Sequence, residues 1–405
     1  MSIARIAGYL FLTAAAIFYT FQNIIAIEGH LDLHSDFELY YNAAREILRG
    51  NTPYSNPEFM YPAVFAFSVT PLALTSYLTA RWIWFVISHL MLLGSSVLIW
   101  RFLGGGLATA SCIALVWAGG GAAGENLALG QIGPALLLLL ALAYTRCGVK
   151  RGIAAGVGAA LKFLPAALAV PITLARDRRS LISMLTTAAG LFLVSGIALP
   201  LFDGPQTAGR AYLLGTPAIL SWSIPSTALR FFDPPAAGGA LPHDWEFGNQ
   251  VRTLHLPVER QLISAALSFT VLISGTLILV WRTGGRIDER QLPVAMAGFV
   301  SLALAALPVC WSHYQILQYA GVALMLGLAV SQCRWKLAIT IIACGGLLYP
   351  IPVAALTRYY HHYGWTAASP WQLYLWTSAT PVACLGIFGL SVKFLLPQSR
   401  NADFT

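Results

Sequence analysis

The chain has 405 residues, of which 57% are hydrophobic and only 10% are charged. Soluble domains carry about 25% charged residues, so the composition excludes an ordinary soluble protein and predicts a polytopic membrane protein. The formal net charge is +8, but Lys and Arg cluster in short loops beside apolar segments, so a nucleic-acid partner is not expected. The six cysteines form no CxxC pair, and no metal site is predicted.

A polar insertion separates the first apolar run from the rest of the chain. Arg5 precedes an apolar run from Ile6 to Ile27, which is too long for the core of a signal peptide and predicts an uncleaved first membrane span. The stretch 28–62 that follows holds six of the sixteen acidic residues. We therefore expect it to form a polar first external loop.

A short amphipathic helix is predicted within this loop. Ser35 is a favourable N-cap and Glu38, three positions later, completes a capping box, so the helix should begin at Asp36. Gly50 should end it. The apolar stripe of this helix comprises Phe37, Tyr40, Tyr41, Ala44 and Leu48. Such a helix should lie flat at the bilayer surface, with Asp36 in its first turn.

Further apolar segments follow the loop, and several are shorter than the roughly 20 residues that a straight helix needs to cross a membrane. They cover 63–78, 82–100, 107–121, 132–144, 152–175, 181–202, 262–281, 292–309, 316–331, 337–356 and 373–396. Ten crossings with re-entrant pieces and twelve full crossings both fit. We favour a juxtamembrane helix at 63–78 and a hairpin at 152–175 that enters from the cytoplasm, because this arrangement puts Arg101, Lys150 and Arg151 inside and Glu125 outside.

Basic residues mark the side that should be cytoplasmic. The clusters in the second half are Arg176, Arg178 and Arg179, then Arg282, Arg286 and Arg290, then Arg334 and Lys336, and finally Lys393 and Arg400. The opposite side receives 28–62 and 203–260, and the latter is rich in Pro, Gly and aromatic residues and is predicted to be a packed external cap. No repeat or separate soluble domain stands out, so 1–405 should form a single membrane domain.

Two charged residues are the first candidates for chemistry. Asp36 could support the start of its helix electrostatically, or it could act as a general base on an acceptor hydroxyl at the membrane surface. Lys162 lies within an apolar segment, where an ammonium group needs an anionic partner. A lipid phosphate suits this role, because no acidic residue occurs between Glu125 and Asp177.

A third candidate region follows Pro308. His313 lies between Ser312 and Tyr314 and could bind a phosphate or a sugar hydroxyl, whereas its aromatic neighbours could simply form an interfacial belt. Arg358 begins an external cluster of cationic and aromatic residues. The sequence contains no Walker loop, GxSxG or HExxH motif.

Several motifs of the chain resemble, in order and spacing, those of glycosyltransferase family 87. They are Asp36-Phe-x-x-Tyr40-Tyr41, Gly50-x-x-Pro53-Tyr54, Tyr61-Pro62, Gly130-Gln131, Leu161-Lys162-x-x-Pro165 and Trp311-x-His313-Tyr314. The chain departs from the family at Ala63, in place of a second proline, and at Ser221-Trp-Ser223, in place of a polar Asn-Gln-Ser turn. The resemblance implies an all-α GT-C-like bundle of about 10–12 transmembrane helices.

The resemblance also implies roles for individual residues. Asp36, the acidic residue of the first external loop, would be the catalytic base. The expected donor-phosphate ligands are Lys162, Arg358 and His313. The expected substrate-binding residues are Tyr40, Tyr41, Tyr54, Tyr61, Gln131, Trp311 and Tyr314.

The expected function is therefore that of a plasma-membrane glycosyltransferase. It would transfer a sugar, with inversion, from a polyprenyl-phosphate donor to a glycan, glycolipid or protein acceptor at the extracytoplasmic face, without a cofactor. Mannose is the best-known sugar of the family, but no residue here selects it. The alternative is a transporter or flippase of a lipid-linked or small anionic substrate, which would also account for broken helices and a buried lysine.

Overall fold

The computed structural model of the protein is all-helical over the residues that it describes. These residues are 3–28, 35–55, 59, 61–118, 121–198, 221, 223–232, 258–308, 310, 312–352 and 370–395. Most of the predicted cap at 203–260 lies outside these ranges, as do Trp311 and Arg358. The described residues contain no β-strand, so the predicted fold class is confirmed.

Sixteen labelled α-helices and three 3₁₀ turns make up the described part of the chain. The first nine helices are α1 (Ile3–Glu28), α2 (Asp36–Leu48), α3 (Ala63–Ala73), α4 (Tyr77–Phe102), α5 (Leu107–Ala118), α6 (Gly121–Leu129), α7 (Gly133–Thr145), α8 (Gly148–Leu161) and α9 (Ala169–Leu174). The others are α10 (Arg178–Ala198), α11 (Ile224–Phe232), α12 (Val258–Thr283), α13 (Leu292–Ala306), α14 (Tyr319–Ser331), α15 (Trp335–Leu348) and α16 (Pro370–Leu395). The 3₁₀ turns are Pro53–Ser55, Leu164–Leu168 and Ser312–Gln318.

Several of these helices are long and apolar enough to cross a membrane. By length and composition, the described residues contain four such segments, or five if α5 and α6 form one broken span. The four are Tyr77–Phe102, Val258–Thr283, Ser312–Ser331 and Ser378–Leu395. The protein is therefore a multi-pass membrane protein, and the full count of 10–12 crossings stays a prediction.

The segment predicted to be either a hairpin or a full crossing forms a hairpin. Helix α8 ends at Leu161, and Lys162 is extended, with φ −157° and ψ 128°. The chain then returns through a 3₁₀ turn and α9. Pro165 favours this break because it lacks the amide proton that would continue α8 by bonding to the carbonyl of Leu161. The base of the hairpin is closed because Arg151 Nη1 lies 2.7 Å from Asp177 Oδ2. Lys162 thus lies at the tip, not in the middle of a spanning helix.

The predicted basic clusters gather at the base of this hairpin. Arg151 Nη2 lies 2.6 Å from Glu289 Oε1, and the amide of Ile287 donates to the carbonyl of Leu174 at 3.1 Å. The guanidinium of Arg334 lies 5.0 Å from the ring centroid of Phe394, which joins the third cluster to the C-terminal one. We refer to this end of the molecule as the basic end.

The amphipathic helix of the first loop is α2, and its boundaries match the prediction. Phe37 and Tyr40 are completely buried by the protein, mainly against α3 and α4, so the apolar face covers neighbouring helices instead of lying on lipid. Leu48 was expected in this stripe but is exposed. The capping box was also wrong, because the Ser35 side chain makes no capping bond and instead pairs with the hydroxyl of Tyr77 at 3.0 Å.

Candidate functional site

The first residue of α2 is held by an amide from the turn between α6 and α7. Gln131 Nε2 donates a hydrogen bond to Asp36 Oδ2. Gly130 has φ +69°, and a Cβ at this position would lie 2.6 Å from the Cβ of Phe37. Only glycine therefore fits this tight, left-handed turn, which brings Gln131 to the carboxylate.

Two tyrosines fix the orientation of this amide. Tyr61 donates to Gln131 Oε1 at 3.2 Å, and the Tyr40 hydroxyl shares its single proton between Gln131 Oε1 at 3.0 Å and the Tyr61 hydroxyl at 2.8 Å. With its oxygen occupied by two hydroxyl donors, the amide turns its NH₂ group toward Asp36. The result is a rigid polar cluster around one carboxylate.

Lys162 reaches the same cluster from the tip of the α8–α9 hairpin. Its Nζ lies 3.6 Å from the ring centroid of Tyr314 and 5.2 Å from that of Tyr61, both within cation–π range. No carboxylate of the described residues lies within ion-pair distance of this ammonium. The charge is therefore available to an anionic ligand.

His313 and Glu125 form the neighbouring part of the site. His313 Nδ1 lies 3.8 Å from Glu125 Oε1, and the imidazole ring packs edge-on to Tyr314 with centroids 4.8 Å apart. Because Tyr314 also contacts Lys162, the histidine and the lysine share one aromatic neighbour. Two potential cations therefore share a small region with Asp36.

Arg81 adds a buried cation behind the cluster. Its Nη2 donates to the carbonyls of Leu127 and Ala128, and Trp84 Nε1 donates to that of Gly130 at 2.8 Å. These carbonyls end helix α6, where a cation is favoured by the helix dipole. Arg81 at this end of the molecule therefore stabilises the turn that carries Gln131.

The electrostatic environment of Asp36 suits a proton acceptor. The carboxyl group is half-buried, and this burial raises its pKa above the ordinary aspartate value. The charges of His313 and Lys162 and the Gln131 hydrogen bond act in the opposite direction. A carboxylate with a raised pKa that faces cations can be ionised at neutral pH and still be basic enough to take a proton.

An apolar cavity of about 140 Å³ adjoins the polar cluster. Tyr349 joins the two, because it lines the cavity and its hydroxyl donates to Glu125 Oε2 at 2.8 Å. The other lining residues come from α5, α14 and α15 and the segment after α15; they are Leu115, Val116, Tyr319, Val322, Leu326, Ile342, Gly345, Gly346, Leu348 and Pro350.

The structure brings most of the predicted site residues together, and two others, Tyr41 and Tyr54, have different contacts. Those that meet around the carboxylate are Asp36, Tyr40, Tyr61, Gln131, Lys162, His313 and Tyr314. Tyr41 instead donates to the carbonyl of Thr75 at 2.8 Å, and the ring of Tyr54 packs beside Phe59. Trp311 and Arg358, also predicted, lie outside the described residues.

Sequence reasoning missed the roles of Glu125 and Arg81. Glu125 is the only acidic residue between Glu58 and Asp177, and an isolated carboxylate in an apolar stretch is itself a signal of function. Arg81 lies in the first turns of α4 on the external side of the predicted topology, opposite the basic end, and is therefore an exception to the positive-inside pattern. That exception to the positive-inside pattern was the signal of a buried structural cation.

A helical membrane protein with a basic carboxylate facing a lysine and a histidine has the features of an enzyme that acts on an anionic donor. The family model of Glycosyltransferase family 87 matches residues 59–229. The resemblance drawn from the motifs is therefore confirmed, and the protein is a membrane glycosyltransferase.

One solved structure is similar over most of the chain. It is the crystal structure of ArnT from Cupriavidus metallidurans bound to undecaprenyl phosphate, with a TM-score of 0.39 and 12% sequence identity, covering 94% of this chain and 78% of that one. At this score the likeness carries no weight for the site. No curated protein matches the chain significantly.

Proposed function

We propose that this glycosyltransferase moves a sugar from a polyprenyl-phosphate donor to an acceptor hydroxyl at the extracytoplasmic face of the plasma membrane. The single observation that carries the proposal is the position of Asp36, which is held by Gln131 and faces Lys162 and His313. The cluster lies at the N-terminal ends of α4 and α7 and at the tip of the hairpin, which are all remote from the basic end. The positive-inside rule supports a cytoplasmic basic end and therefore an external position for Asp36.

The proposed reaction is a single inverting displacement. The acceptor oxygen attacks the anomeric carbon while its proton passes to Asp36, and the bond between the anomeric carbon and the phosphate oxygen breaks. The electron pair of that bond stays on the departing lipid phosphate, whose negative charge grows. Gln131 holds the base in position throughout.

Cations on the other side of the cluster would stabilise the leaving phosphate. Lys162 is suited to this role because its ammonium lies at a hairpin tip against aromatic rings, and no carboxylate of the described residues is within ion-pair distance of it. His313 is the second ligand, and Arg358 is the third by residue type alone. Fixed positive groups near a developing charge are effective because they need no reorganisation during the reaction.

The apolar cavity supports a lipid-linked donor. It runs from Tyr349, beside Glu125, along one face of α14 from Tyr319 to Leu326, a rise of about 10 Å. The first isoprene units of a polyprenyl chain would fit against these aliphatic side chains. A glycan, glycolipid or protein acceptor would approach Asp36 from the external side, and mannose stays a candidate sugar by resemblance only.

The proposal is tested with purified protein in lipid vesicles. The protein is incubated with radiolabelled polyprenyl-phosphate sugars and a panel of acceptors, and the released lipid phosphate and the anomeric configuration of the product are measured. We expect equal amounts of lipid phosphate and inverted glycoside. Movement of intact donor across the vesicle without release would instead support a flippase, and retention of configuration would exclude the single displacement.

A further inference from the structure

Two consecutive residues of α6 hold His313 from opposite sides. Asn126 Nδ2 donates to the backbone carbonyl of His313 at 2.7 Å, while Glu125 Oε1 faces its Nδ1 at 3.8 Å. Asn126 is itself fixed by a second bond to the carbonyl of Ala122 at 2.7 Å. The backbone and the ring of His313 are therefore both positioned by one short helix.

The Glu125 carboxylate has little freedom to move away from the histidine. The Ser312 hydroxyl shares its single proton between the two carboxylate oxygens, at 2.8 Å and 3.0 Å, and the Tyr349 hydroxyl donates to Oε2 at 2.8 Å. Gly121, one turn earlier on α6, leaves the room for this contact, because a Cβ there would lie 2.4 Å from the Tyr349 ring. Two hydroxyl donors thus hold a negative charge beside one ring nitrogen.

The other nitrogen of the ring has a different environment. His313 Nε2 is buried and has no hydrogen-bond partner among the described residues, and the side chain is only 10% exposed. A buried polar atom without a partner is costly, so its persistence calls for an explanation such as a ligand. The charge of His313 also acts on Asp36, which places the ring beside the reacting centre.

We propose that Glu125 is a positioning residue, which holds His313 with Nε2 directed at the donor phosphate. In the doubly protonated ring, Nδ1–H faces the Glu125 carboxylate and Nε2–H can donate to a phosphate oxygen. This inference rests on the proposed function and extends it to a residue outside the predicted site. No covalent step passes through Glu125, which acts only through His313.

The test compares Glu125→Gln with wild type in the donor assay. Glutamine keeps the shape and one acceptor oxygen for Ser312 and Tyr349, but it removes the negative charge. We expect the KM for the donor to rise about tenfold, the value of one charge-assisted hydrogen bond, while the KM for the acceptor stays unchanged. Glu46→Gln, which alters an exposed carboxylate on α2, is the matched control and should change neither value.

A double-mutant cycle separates positioning from general structural support. In a His313→Ala background, Glu125→Gln should raise the donor KM no further, because the ring on which it acts is gone. An equal further rise in that background, or a rise in both KM values, would overturn the inference. If Glu125→Gln does not fold, Ser312→Ala, which keeps the charge and frees the carboxylate, should give a smaller rise in donor KM alone.

These outcomes are distinct from failure of the proposed function. If wild type consumes the donor and Glu125→Gln has an unchanged donor KM, only the positioning role is wrong. If wild type releases no lipid phosphate from any donor, the glycosyl transfer from a polyprenyl phosphate is wrong.

Discussion

Arg151 and Lys162 lie at the base and the tip of the same helical hairpin, and their surroundings differ in the carboxylates that reach them. Arg151 contacts Asp177 and Glu289 at 2.7 Å and 2.6 Å, and it also donates to the carbonyl of Ala143 at 3.2 Å. Within the described part of the chain, the Lys162 ammonium lies against the rings of Tyr61 and Tyr314 and has no carboxylate within ion-pair distance. The hairpin therefore carries one neutralised cation and one cation without a carboxylate partner.

The difference shows how the charges are divided between fold and function. Breaking a buried ion pair by removing one partner is strongly destabilising, so Arg151 holds the basic end together. A buried cation without a counter-charge contributes nothing comparable to stability and is kept where a ligand supplies the missing anion. We infer that the basic end serves the fold and that the end around Asp36 serves the reaction.

The largest expected effect is that of Asp36→Asn on activity. Asparagine has nearly the shape of aspartate and can still accept from Gln131, but it cannot take a proton. General base catalysis contributes roughly 10²–10⁴-fold, so the rate of lipid-phosphate release should fall by at least about a hundredfold. Purified protein in vesicles is assayed at saturating donor, and Glu46→Gln is the control on the same helix.

The insertion and donor binding of Asp36→Asn should match those of wild type. A residual rate within about tenfold of wild type would remove Asp36 as the base. It would also contradict the inference that the end around Asp36 serves the reaction.

Next in size is the effect of Arg151→Met on stability. The change leaves Asp177 without its buried partner. Breaking such a pair costs about 3–5 kcal/mol. We expect the lower value, because the second partner of Arg151, Glu289, is half exposed and remains solvated without it. Thermal unfolding in detergent should therefore occur at a lower temperature than for wild type. Lys162→Met, the same replacement at the tip, should leave the unfolding temperature unchanged or raise it; an equal loss in both variants would contradict the division.

The pH dependence of transfer provides a smaller, directional test. Burial raises the pKa of Asp36 and the Gln131 hydrogen bond lowers it, and the base works only when ionised. The rate should therefore fall as the pH drops and Asp36 becomes protonated. This acidic limb of the pH–rate profile should lie above about pH 3.9, where a free aspartate titrates. Gln131→Leu should move this limb to higher pH, and a shift to lower pH would contradict the assignment.

The smallest expected effect distinguishes two tyrosines that the sequence treated alike. Tyr41→Phe removes only a bond to the carbonyl of Thr75, so it should cost about 0.5–1.5 kcal/mol of stability and leave the rate nearly unchanged. Tyr61→Phe removes a donor to Gln131 and an acceptor for Tyr40, and it should lower the rate. Measuring both rates at saturating donor checks this ranking.

The sequence predicted the fold well where the signals were local. Hydrophobicity, charge clusters and the glycine after α2 indicated an all-helical membrane protein with an amphipathic helix that begins at Asp36. The Ser35 side chain escaped prediction because a tertiary partner, Tyr77, competes for its hydroxyl. The exposure of Leu48 also escaped prediction, because helical spacing does not show whether a neighbouring helix covers the last turn of α2.

The candidate site was predictable only in part. Motif order identified Asp36, Gln131 and Lys162 separately, but their meeting depends on a glycine turn and a hairpin that act over long sequence distances. Glu125 pairs with a histidine that follows it by 188 positions, and no local pattern can predict such a contact. The same holds for the hydroxyl pairs that orient the Gln131 amide.

The most direct test of the division of charges is the binding of a polyprenyl phosphate, compared with the uncharged polyprenol, to wild type, Lys162→Met and Arg151→Met in detergent. Wild type should prefer the phosphate by at least about tenfold, the value of a charge-assisted contact. Lys162→Met should lose most of this preference, and folded Arg151→Met should keep it. An undiminished preference in Lys162→Met would contradict the account, because the phosphate would then be recognised elsewhere.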